Sequence, residues 1–229
     1  MTPYINTTTI LLTFLVVIIG RYFLVPLFRE WPGDQPETVR LRRLLNASDF
    51  MKFFKLVFTT MPALRNIPKA DRISPQLSEK LMLAVCGVNE CAHCSYLHTR
   101  TALEKGIPED QIRELLAGQF NAVPAEELPA LLYAQHYAET RAEPSEESSV
   151  RLAAEYGENK AFHIKAYLLT VFFGNLCCNT VQFYEHGRIE DAKRHELYLV
   201  YLLAKPVQWF ILRSGAKLEQ KRAGMMGGD

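Results

Sequence analysis

A chain of 229 residues with 48% hydrophobic and 22% charged side chains has the composition of a folded globular protein rather than of a disordered one. The formal net charge of +1 gives no electrostatic case for nucleic acid, and the sequence holds no RNA- or DNA-binding motif. Five cysteines, an odd number, argue against a secreted disulfide framework and for functional or buried thiols.

Residues 1–20 carry no charged side chain, and residues 10–20 are apolar apart from Thr13. A helix over residues 5–28 would span roughly 36 Å at ~1.5 Å per residue, enough for a bilayer core of ~30 Å. Residues 1–30 therefore read as a transmembrane or hydrophobic anchor helix. A cleaved signal peptide fits less well, because the basic n-region is missing; a hydrophobic helix packed on the domain or in an oligomer interface is the plainer alternative. If the helix spans, Arg21, Arg29, Arg40, Arg42 and Arg43 all follow it, which puts the rest of the chain in the cytoplasm.

Pro32, Gly33 and Pro36 mark a linker, so residues 31–61 read as linker plus one helix. That helix is predicted from Thr38 to about Thr59, with Leu41, Leu44, Leu45, Phe50, Phe53, Phe54 and Val57 at helical spacing. Ser74-Pro75 opens the next helix, expected to stop at Gly87. Asn89 caps a second from Glu90 to about Lys105, ended by Gly106. Pro108 leads a third with Ile112, Leu115 and Leu116 on one face. A fourth runs from Pro124 to about Thr140, and Ser145 caps a fifth that ends at Gly157. Residues 160–185 form a long apolar helix with a buried centre at 168–173. A further helix starts near Ile189, with a break expected at Pro206 and a short amphipathic piece bearing Trp209. The tail holds Arg213, Lys217, Lys221 and Arg222, suited either to an anionic membrane surface or to solvent. No β alternation is visible, and the predicted fold class is all-α.

The chemistry concentrates in residues 89–98, Asn-Glu-Cys-Ala-His-Cys-Ser-Tyr-Leu-His. On a helix Cys91 and Cys94 are i,i+3, and Cys94 and His98 are i,i+4, so all three share a face. A thiolate is the nucleophile, and a helix N-terminus favours negative charge there. His98 can hold or relay the proton. One sulfur attacked by peroxide becomes a sulfenic acid, and the second condenses with it to a disulfide.

With Glu79 the motif becomes E-x11-C-x2-C-x3-H, and this resembles the alkylhydroperoxidase D (AhpD)-like branch of the carboxymuconolactone decarboxylase superfamily. Leu81, Leu83, Ala84 and Val85 after Glu79, Asn89 before the first cysteine, Gly106 with its following Pro-led helix, and the pair Asn175 and Asn179 fit the same pattern. The resemblance covers residues 62–187, leaving 188–229 as a C-terminal helical extension and basic tail. It implies an AhpD-like helical bundle that assembles as a trimer or hexamer, with no cofactor. Cys94 would attack the hydroperoxide and Cys91 resolve it. Glu79 and His98 would form a proton relay, with His93, Asn175 and Asn179 in support. A dithiol reductant, lipoylated or thioredoxin-like, would restore the thiols. Decarboxylase activity is disfavoured, because members with that activity generally lack the cysteine pair.

Metal binding is the main rival. Cys86, Cys91 and Cys94 have the spacing of plant-type iron–sulfur ligands, but they fall on predicted helices rather than a wrapping loop. Zinc on Cys91, Cys94, His98 and a fourth ligand would make a structural module. A membrane-linked redox sensor with the same fold and little turnover is the third class. Cys86 and the Cys177-Cys178 pair read as buried core residues, and His136, His163, His186 and His195 have no evident partners.

Overall fold

The computed structural model describes residues 43–186 and 197–213. The N-terminal helix, the linker, the start at Thr38, the segment around Ile189, His195 and the tail beyond Arg213 lie outside them. Among the described residues there is no strand, and the fold is all-helical as expected. The elements are α1 (Ala47–Thr60), α2 (Pro75–Asn89), α3 (Ala92–Glu104), α4 (Glu109–Leu116), α5 (Leu128–Glu139), α6 (Glu146–Tyr156), α7 (Glu158–His186) and α8 (197–213). Two short 3-10 helices, Met61–Asn66 and Lys69–Asp71, link α1 to α2.

α2 is the central helix, and α3, α4, α5 and α7 all pack on it. Its sequence suits that position, because it buries Leu77, Leu81, Leu83, Ala84, Val85 and Cys86 around most of its circumference. It also buries Glu79 and Lys80, and each is given an opposite charge. Lys80 Nζ lies 2.5 Å from Glu127 Oε2. α7 is the second scaffold, against which α1, α2 and α6 pack. By length and composition it passes as a membrane span, yet its most apolar stretch is mostly buried among the other helices. Leu168, Leu169, Phe172 and Phe173 face the core as predicted, and Phe53 and Tyr137 meet Phe172 edge-on.

Several boundaries differ from the sequence reading. α1 starts at Ala47, because Asn46 Oδ1 accepts the Asp49 N–H at 2.7 Å and caps it. α5 starts at Leu128 rather than Pro124. Residues 124–127 form a turn, with the Glu127 N–H donating to the Pro124 carbonyl, and Pro129 occupies the first helical turn. α8 runs unbroken through Pro206. Tyr198, Val200, Ala204 and Gln208 are buried along one face, and that packing outweighs the proline penalty. Arg213 stacks over the Trp209 ring at 4.7 Å, so this basic residue is engaged within the helix.

The largest departure is at Gly87. It does not end α2, which continues to Asn89. A Cβ at Gly87 would lie 2.2 Å from the Leu116 carbonyl oxygen, so the glycine permits a backbone-to-backbone approach between α2 and the end of α4. Gly87→Ala is expected to lower unfolding stability by about 3 kcal/mol, read as a shift of the denaturant midpoint. An unchanged midpoint would mean that α2 and α4 do not meet there.

Candidate active site

The turn between α2 and α3 sets the site. Glu90 takes the left-handed conformation (φ 48°), and its side chain pairs with Arg43. Its N–H donates to the Gly87 carbonyl at 3.3 Å, and the Cys91 N–H donates to that of Cys86. Asn89 therefore does not cap α3. It closes α2, and its carbonyl accepts Asn179 Nδ2 at 2.8 Å. Cys91 is the N-cap of α3, with non-helical φ −81° and ψ 94°, while Cys94 lies in the first turn. The shared helical face thus holds for Cys94 and His98, and Cys91 reaches the same place from the turn.

Both cysteines are buried, Cys91 at 0% and Cys94 at 4% exposure. They are joined by a residue the sequence reading placed in the core. The sulfurs of Cys91, Cys94 and Cys178 all lie within 4.8 Å of one another. Cys86 completes a buried sulfur cluster, shielded by Leu116 and by Ile211 of α8. All five cysteines are free thiols. Cys177, the neighbour of Cys178, faces the apolar core as predicted.

Thiol hydrogen bonds from Cys91 and Cys94 push the Cys178 thiol down to about 4, against burial and with help from the charges of His93 and His98. The same bonds to Cys178 push the Cys91 and Cys94 thiols up, and burial adds to both shifts. The cluster as a unit therefore accommodates one thiolate. The expected lowering at the helix N-terminus does not fall on Cys91 or Cys94 individually.

Glu79 is 4% exposed and sits below the cluster on α2. Its Oε2 lies 3.0 Å from His98 Nδ1 and its Oε1 2.6 Å from Lys105 Nζ. Burial pushes the Glu79 carboxyl up, but the hydrogen bonds and charges of His98 and Lys105 more than reverse this, leaving it below its ordinary value of 4.5. An ionised carboxylate only accepts, so His98 donates from Nδ1 and Nε2 is left as the basic nitrogen. The sequence brought Glu79 and His98 into one site but missed Lys105. Lys105 lies two helical turns beyond His98, a spacing that could have suggested it.

His93 is exposed at the rim. Asn175 and Asn179 dock α7 onto α2. Cys86 Sγ lies 3.6 Å from Asn175 Oδ1 and 3.4 Å from Asn175 Nδ2. Of the histidines without evident partners, His163 Nδ1 accepts the Ile73 N–H at 3.0 Å and His136 Nε2 accepts that of Ser145 at 3.4 Å, both structural roles.

Residues 53–140 match the carboxymuconolactone decarboxylase family. The match runs from within α1 through α5, so it contains Glu79, both motif cysteines, His98 and Lys105. The AhpD-like branch recognised from the cysteine motif is consistent with it. Cys178, the two asparagines and α8 lie beyond the matched segment. No curated protein and no solved structure matches the chain.

The helices of the matched segment thus supply a dithiol and a buried carboxylate–imidazole pair, and α7 adds a third thiol. A metal would find Cys91, Cys94 and Cys178 as its nearest sulfur ligands, rather than the Cys91, Cys94 and His98 set weighed from sequence.

Because Glu79 is depressed in the folded state, its ionised form contributes stability above pH 4.5 that is lost as pH falls through the folded value. Glu79→Gln should cost about 2–3 kcal/mol at neutral pH. The gap to the parent should shrink as pH falls from about 5 to 3. Parallel denaturation curves over that range check this, and a constant gap would refute it.

Proposed function

We propose that this protein is a thiol-dependent peroxidase or disulfide reductase that removes hydroperoxides by AhpD-like chemistry. The observation that carries the reading is a dithiol beside a buried Glu79–His98 hydrogen bond, on two helices of one family segment. In the forward step the Cys94 thiol gives its proton through a water to His98 Nε2, and its sulfur attacks the terminal oxygen of ROOH. The O–O bond breaks, Cys94 becomes a sulfenic acid and the alkoxide takes a proton to leave as ROH. His98, oriented by Glu79, relays that proton through Nε2 and a water. The Cys91 thiol condenses with the sulfenic acid, forming a disulfide and releasing water. A dithiol partner, lipoylated or thioredoxin-like, restores both thiols by exchange.

The surroundings suit an organic hydroperoxide, since Leu116 and Ile211 are the apolar side chains against the sulfurs. We further propose a homo-oligomer, trimer or hexamer. An exposed row on α1, Met51, Phe54 and Phe58, with Phe50, Phe54 and Phe58 stacked in succession, offers apolar surface for such an assembly. The hydrophobic N-terminal stretch supports a membrane anchor with the catalytic domain in the cytoplasm. The second reading is a metal module, favoured by the three convergent sulfurs.

Thiol titration with mass spectrometry, before and after one equivalent of an organic hydroperoxide on metal-free protein, tests the proposal. A Cys91–Cys94 disulfide that a dithiol reverses is the expected result, and Cys94→Ser should lose turnover by at least a hundredfold, the scale of removing an essential nucleophile. Thiols that stay reduced, or a stoichiometric metal on the purified protein, would overturn it.

A further inference from the structure

α7 presents Asn175, Cys178 and Asn179 at i, i+3 and i+4, one face turned to the α2–α3 junction. Asn179 holds the last residue of α2, and Asn175 holds Cys86, so the Cys178 sulfur is fixed in register between two anchors. It is 1% exposed, in the sulfur cluster packed against Leu116 and Ile211. Packing alone would call for a small apolar residue there; the neighbouring Cys177 meets that need on the core side. What distinguishes Cys178 is its distance to Cys94, which is within the same 4.8 Å limit as that of Cys91. Cys86 also hydrogen-bonds Cys94, but its sulfur is held by the Asn175 amide at 3.4 Å.

We propose that Cys178 is a third redox residue of this site. Once Cys94 is a sulfenic acid, the Cys178 sulfur attacks it, the S–O bond breaks, and a Cys94–Cys178 disulfide forms with release of water, in competition with Cys91. Cys94, already oxidised by the hydroperoxide, and Cys178 share the disulfide oxidation level, so no further oxidant is needed. The step rests on the peroxidase reading for its sulfenic acid. Its geometry has its own consequence, because a Cys94–Cys178 bond ties α3 to α7, whereas a Cys91–Cys94 bond stays within one turn. Reaching bonding distance (~2.05 Å) requires a change of side-chain rotamer.

The test uses the full chain carrying Cys91→Ser, with Cys91→Ser/Cys178→Ser beside it. Each receives one equivalent of cumene hydroperoxide and then dimedone, which traps sulfenic acids, before peptide mapping. We expect a Cys94–Cys178 linkage and no dimedone adduct in the single variant, and an adduct on Cys94 in the double variant. A persistent adduct on Cys94 in the single variant, or a bond from Cys94 to Cys86, would overturn the proposal while leaving the peroxidase reading intact. Diamide, which makes disulfides without a sulfenic acid, separates the two ideas. A Cys94–Cys178 bond with diamide but no reaction with the hydroperoxide, in either the variant or the parent, supports the pairing and sinks the peroxidase reading. No bond with either reagent overturns the pairing.

Discussion

A carboxylate buried in the central helix governs this structure. Glu79 is enclosed by α2's neighbours and is ionised only because His98 and Lys105, both on α3 or at its end, donate to its two oxygens. An uncompensated charge at that depth would cost several kcal/mol, so α3 must lie against α2 with those two side chains turned inward. That requirement fixes the rotation of α3. Rotation in turn places Cys94, one helical turn before His98, at the top of the same seam. The ion cluster thus does two things at once: it registers the helix pair and it leaves His98 with a free Nε2 near the sulfurs.

The turn above the seam is tight for a related reason. α2 approaches the end of α4 so closely at Gly87 that the helix can be neither bulkier nor displaced there. The chain then reverses through left-handed Glu90, which Arg43 holds. Cys91 emerges from this reversal as an N-cap, its sulfur directed back onto α3 and α7 rather than outward. α7 closes the site from the far side through Asn175 and Asn179. A dithiol on an exposed helix end would be open to every oxidant. Here the sulfurs are buried, and Ile211 of α8 packs against them.

Most of the fold was legible because its signals are local. Ser74-Pro75, Ser145 and Gly157 mark helix ends by chemistry that acts within one turn, and all three do so in the structure. The reading erred where a long-range contact overrides the local signal. Gly87 looks like a stop and is a contact residue. Pro206 looks like a break and is carried through by a buried face. In the site, Cys91, Cys94 and His98 were legible from their helical spacing, and Glu79 from the E-x11-C-x2-C-x3-H pattern that carries the family resemblance. Lys105 and Cys178 were not, since one acts as an ion-pair donor without a motif and the other arrives from a helix far along the chain.

That third sulfur bears on the choice between redox and metal chemistry. Three thiolates around a divalent ion would leave a net negative charge in a buried cluster packed against Leu116 and Ile211, where an excess charge is costly. The hydrogen-bonding pattern instead suits a single thiolate stabilised by two protonated thiols. A zinc module would also call for a fourth ligand, and the convergent sulfurs supply three. A buried cluster holding one negative charge, with the Glu79–His98 hydrogen bond beside it, thus supports the proposed cycling between thiol and disulfide over the keeping of an ion.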